Sequence, residues 1–166
     1  AGLKDHIFVM ARAGQNPLWE RARAEDIPSL AISPGVIGRL SVLTPLHLLP
    51  AALCQVDILS LIQGAKRMDE RIDPARAGDH PAPLLATVLY LWMQRRRDSL
   101  VIWPYVDRLG AYSRWLRQLV AESLGKRTSL KGEEVRTGIT PLLAQGVATQ
   151  HAELQLYLDG PLNKFC

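Results

Sequence analysis

Two short apolar runs rich in β-formers, residues 6–11 (HIFVMA) and 27–33, flank a helix start at Asn16-Pro17. Asparagine at a cap accepts hydrogen bonds from the first free amides. Proline at the next position gives up only a donor that the helix leaves unused. The segment between the runs therefore reads as a helix through about residue 24, and Pro34-Gly35 closes the second run. Strand, helix and strand joined by short loops form a crossover unit, which expects parallel strands and an α/β protein.

Further along, Thr44 before Pro45 is a second helix start, and the helical pattern continues over 48–68 with Pro50 and Gly64 as expected break points. Residues 69–83 are polar and rich in Pro and Gly, the best linker in the chain. Residues 84–97 are apolar on almost every side, so this helix is expected to be buried between layers. A third strand is read at 99–103, followed by an amphipathic helix from near Asp107. Leu109, Tyr112, Leu116 and Val120 share one of its faces, and Gly125-Lys126 supply a C-cap glycine and a dipole-matched cation. Residues 127–137 read as a loop or short hairpin and 138–146 as a bend. A last helix is read over 149–158, stopped by Gly160-Pro161.

At 166 residues the chain is long enough for a sizeable core, and 48% hydrophobic with 22% charged is ordinary for a globular protein. Twenty basic against 16 acidic residues give +4, which suits small anions. Nucleic acid would want a concentrated basic face, and Arg95-Arg96-Arg97 reads instead as helix-end surface. The apolar stretch 41–62 is broken by Pro45, His47, Pro50 and Asp57, and 84–93 is too short, so no membrane span is expected. Cys54 and Cys166 form no disulfide or metal-site pattern and fit a reducing cytosol. No targeting segment is visible. A start at Ala1 beside a strand reads as a fragment or a processed chain. No P-loop, dinucleotide glycine fingerprint or internal repeat occurs.

Five positions have chemical potential. Gln118 and Glu122 are one helical turn apart near a helix end, where a carboxylate with a neighbouring amide is on local grounds a solvated pair. Arg39 lies in a connection leading into a helix, where a loop arginine ordinarily pairs with a carboxylate. His151 falls in the first turn of the last helix, where a histidine is usually just polar. His47 has no metal-ligand spacing and reads as a packed or half-exposed helix residue.

Taken together, the blocks GRLSVLTPLHLLPAA, VIWPYVDRL, QLVAESLGK and GITPLLAQGVATQHAELQLYLDGP resemble the middle of the bacterial glucose-6-phosphate isomerase (phosphoglucose isomerase) family, in family order. The resemblance runs from about residue 3 to the last residue and covers only the central part of the family's sequence. It implies a parallel-sheet sugar-isomerase (SIS-like) architecture. Residues 1–48 would end one such domain, 49–97 would form a helical connection, and 98–166 would open a second. It implies interconversion of glucose 6-phosphate and fructose 6-phosphate through an enediol. Glu122 matches the base, Gln118 a neighbour in the site, Arg39 the active-site arginine and His151 the ring-opening histidine.

Neither metal nor organic cofactor is implied. The implied partners are a sugar phosphate and a second copy whose site receives His151, with no nucleic acid and no membrane. Ile37, Leu40 and His47 depart from the family pattern, replacing a glycine, an aromatic residue and a further glycine. Thr149 stands where the family has aspartate. The family's Ser/Thr phosphate loop is expected upstream and its lysine segment downstream, so this chain alone is expected to be inactive. A catalytically silent sugar-phosphate-binding module is the alternative. An interaction domain, with exposed helices pairing with another chain, is a third reading.

Overall fold

The computed structural model describes residues 2–72 and 80–166, which form two compact units, 1–70 and 71–166. In the first, β1 (Val9–Arg12) and β2 (Ser29–Ile32) pair in parallel with Val9 opposite Ser29, joined by helix α1 (Pro17–Ala24). This is the expected crossover unit. Asn16 caps α1, its Oδ1 accepting from the amides of Leu18 and Trp19 at 3.0 and 3.3 Å. Val9, Ala11, Ala22 and Ile27 form the core of the unit, with Trp19 packed against it. A 3-10 helix, Gly38–Leu43, then leads into α2 (Pro45–Leu53) and α3 (Ile58–Arg71).

The second unit begins with α4 (Pro81–Gln94) and continues through β3 (Ser99–Ile102), a short 3-10 turn (Asp107–Leu109) and α5 (Gly110–Leu124). An antiparallel hairpin follows, β4 (Lys126–Thr128) and β5 (Glu134–Thr137), then β6 (Thr140–Leu143), α6 (Gln150–Asp159) and β7 (Lys164–Phe165). Its main sheet is parallel, in the order β6-β3-β7, with Leu100 opposite both Pro141 and Phe165. Val101, Ile139 and Ala144 are buried hydrophobic residues of this unit. The fold is α/β with parallel sheets, as expected.

Several local expectations change. Pro50 and Gly64 both sit inside helices, and the break falls between Leu53 and Ile58 instead. There Gln55 takes the left-handed conformation (φ 61°), with the Val56 amide bonded to Ala51 O at 3.0 Å. That is a Schellman stop built without glycine. Asp26 and Arg96 (φ 53° and 62°) end α1 and α4 the same way, through Ile27 N to Ala22 O and Arg97 N to Trp92 O. The expected bend at 138–146 contains a strand, β6, whose Pro141 is tolerated because β6 is at the sheet edge.

No residue of α4 is buried, and Leu84 and Leu91 are 61% and 54% exposed, contrary to the expected sandwiched helix. The expected linker 69–83 gives its first residues to α3 and its last to α4, and its middle, 73–79, lies outside the described residues. Arg95 and Arg97 place their guanidinium groups over the Trp92 ring, at 5.6 and 4.3 Å from its centroid. No described helix is long and apolar enough to cross a membrane.

Candidate active site

Glu122 lies in the last turn of α5 and Gln118 one turn before it. Gln118 Nε2 donates to Glu122 Oε1 at 2.8 Å, which gives the carboxylate a fixed orientation. Both side chains line an open cleft of about 690 Å³, with Arg114, Trp115, Arg117, Ala121 and, from β6, Pro141. Arg114, Gln118 and Glu122 recur at steps of four, so one stripe of the helix carries a cation, an amide and a carboxylate. The two arginines are the charged cleft residues that sequence reading missed, although the same spacing that paired Gln118 with Glu122 also reaches Arg114.

The chain turns sharply just beyond Glu122. Gly125 is the C-cap of α5, as expected, with an extended backbone (φ −67°, ψ 120°). The crowded glycine here is Gly138, whose added Cβ would meet Gly125 Cα at 3.1 Å, where the returning hairpin passes the helix end. Lys126 does act as expected, its Nζ donating to the Ser123 carbonyl at 2.8 Å.

His151 is in the first turn of α6, exposed, and lines a shallow cleft of about 590 Å³ with Val147, Gln150, Leu154, Gln155, Leu158 and Asp159. The approach to this helix is tightly set. Gly146 donates its amide to Pro104 O at 2.7 Å, and a Cβ there would come within 2.5 Å of Tyr105 Cγ. Tyr105 Oη donates to Gln150 Oε1 at 3.3 Å. Trp103 stacks on Tyr105 with centroids 5.8 Å apart and meets Tyr157 edge-on at 5.4 Å, so aromatic rings following β3 hold α6 at two levels. Tyr157 donates in turn to Glu153 Oε2 at 2.5 Å; burial first, then that bond and the carboxylate's charge, push its pKa up to about 12.

Arg39 belongs to the first unit, half-buried on the 3-10 helix Gly38–Leu43. The turn beneath it is closed by Ser41, only 1% exposed, whose Oγ donates to Gly38 O at 2.5 Å. His47, on the first turns of α2, brings Nδ1 to 3.2 Å from Ser41 Oγ and 3.1 Å from Ser41 O. Among the described residues no cluster of three or more His, Cys, Asp or Glu could hold a metal ion. The site residues thus fall in both units: Arg39 in the first, and Gln118, Glu122 and His151 in the second, where they line two different clefts.

A sequence profile of the family described as phosphoglucose isomerase matches residues 26–162. Glucose-6-phosphate isomerase of Carboxydothermus hydrogenoformans is 39% identical over 160 residues, 96% of this chain but 34% of that protein. Glucose-6-phosphate isomerase of Synechococcus sp. (strain JA-2-3B'a(2-13)) is 43% identical over 168 residues, 99% of this chain and 31% of that protein. Among solved structures, a hypothetical protein of Thermus thermophilus superposes with a TM-score of 0.82 at 33% identity, covering 98% of this chain and 38% of its own. The chain therefore spans about a third of the length of the curated relatives it matches.

Proposed function

The chain belongs to the phosphoglucose isomerase family, and from that premise we propose that the polypeptide carrying it interconverts glucose 6-phosphate and fructose 6-phosphate. The observation that carries this reading is the Gln118–Glu122 pair, hydrogen-bonded at 2.8 Å on the rim of an open cleft. Aldose–ketose isomerisation moves one proton between C1 and C2 of the open-chain sugar, so a single base above that edge suffices. Glu122 removes the C2 proton of the aldose while O1 gains a proton, giving the enediol. Return of the proton to C1 and loss of the proton on O2 leave the ketose. Arg39 stabilises the charge that develops on the enediolate oxygen. His151 transfers the proton at the ring oxygen when the cyclic sugar opens. Gln118 orients the carboxylate and contacts the substrate.

In this reading residues 1–48 close a first sugar-isomerase (SIS) domain, 49–97 connect, and 98–166 open a second. The parallel strands found in the first and last of these segments support the division. The protein is a cytoplasmic homodimer serving glycolysis and gluconeogenesis, and each His151 completes the site of the other subunit. The chain alone, spanning a third of its relatives, is inactive.

Two-fold symmetry supplies the test, because one patch is used twice. Complete polypeptides bearing Glu122→Gln and His151→Ala are each inactive. After subunit exchange, one site of the heterodimer receives both lesions and the other receives neither, so turnover of fructose 6-phosphate should reappear. No recovery in a verified heterodimer contradicts the shared site.

A further inference from the structure

We propose that His47 is a positioning residue for Arg39: its imidazole locks the 3-10 turn from which the arginine projects. The inference rests on the reading of Arg39 given above and adds to it a residue at a position where the family resemblance expects glycine. The Ser41 hydroxyl has one proton, and it goes to Gly38 O at 2.5 Å. Ser41 Oγ can therefore only accept from the imidazole. Ser41 O, 3.1 Å from the same Nδ1, is also an acceptor. Both neighbours demand a donor, so the network assigns the proton to Nδ1.

The Ser41 carbonyl accepts in addition from Thr44 Oγ1 at 2.7 Å and from the Thr44 amide at 2.9 Å. Ser41 is only 1% exposed, and the imidazole is the donor from which its Oγ accepts while its own proton goes to Gly38 O. Six residues separate Ser41 from His47, so the contact ties the turn to the first turns of α2. Ile37 and Leu40, the other departures beside Arg39, are 47% and 53% exposed and make no such tie. His47 is the departure that contacts the turn through its side chain.

The test uses the complete polypeptide. His47→Ala improves helix propensity in α2 and removes only the imidazole. His47→Asn returns a donor near the place of Nδ1. Amide exchange at Leu40 and Thr44, whose N–H groups bond within the turn, should quicken about tenfold in the alanine variant and return toward the parent rate in the asparagine variant. Turnover should fall about three- to tenfold in the alanine variant with KM within about twofold, and on an Arg39→Ala background the same change should add nothing further. Unchanged exchange in His47→Ala, or a full additional loss on the Arg39→Ala background, overturns the inference. If Arg39→Ala alone leaves turnover intact, the role given to Arg39 falls, and amide exchange still decides whether His47 sets the turn.

Discussion

Gln118 and Glu122 face each other across 2.8 Å, one turn apart on α5, with Gln118 donating and Glu122 accepting. In the proposed reaction the bond matters because a proton shuttled between adjacent carbons needs a carboxylate that stays put through both halves. Both groups are exposed, so the bond acts chiefly through orientation and adds little stability.

Gln118→Ala in the complete polypeptide should leave thermal stability within about 0.5 kcal/mol and reduce turnover about tenfold, the order expected for one hydrogen bond to a charged group. Steady-state kinetics and a melting curve on the same preparation check both parts. An unchanged turnover number would show that the carboxylate needs no such partner.

The loop before His151 makes two opposed predictions. Gly146→Ala places a Cβ 2.5 Å from the side-chain Cγ of Tyr105 and 2.6 Å from Pro104 O and Tyr105 Cα, the last two being backbone that cannot swing away. It should cost about 1–3 kcal/mol, as overpacking does, and depress activity along with the helix that carries His151. Val147 next to it is a β-branched residue at φ 67°, a conformation of high cost outside glycine. Val147→Gly should therefore be neutral or stabilising by up to about 1 kcal/mol. Urea unfolding of the two variants separates the cases.

Much of this was readable in the residues, and the failures have physical causes. Asn16-Pro17 announced α1 because capping chemistry is local. The ends of α2 and α4 were missed because Gln55 and Arg96 occupy the left-handed position where only glycine advertises itself. β6 was hidden by Pro141, which forbids a central strand and is harmless at an edge. At the site, helical spacing alone paired Gln118 with Glu122. The tie between Ser41 and His47 depends on the turn of backbone between them, which no spacing rule describes.

Tyr157 gives a pH signature. Burial and the bond to Glu153 raise its pKa to about 12, above the ordinary value of about 10 for an unfolded chain. Its contribution to stability is thus fully present below about pH 10 and is lost as pH rises through about 12. Phenolate absorbance should show one tyrosine titrating near pH 12. Glu153→Gln should lower that midpoint, and Tyr157→Phe should flatten the alkaline fall in stability. A midpoint unmoved by Glu153→Gln would remove Glu153 from the explanation.

The most direct measurement follows the proton itself. In heavy water the complete enzyme should carry solvent deuterium into the C1–C2 edge of the sugar phosphate as it turns over. Glu122→Gln keeps the size and most hydrogen bonding of the side chain but cannot accept the proton. Isomerisation and deuterium incorporation should fall together by about 10²–10⁴ or more, with sugar-phosphate affinity within a few-fold of the parent. Near-normal turnover or undiminished incorporation in Glu122→Gln would contradict the assignment of Glu122 as the base.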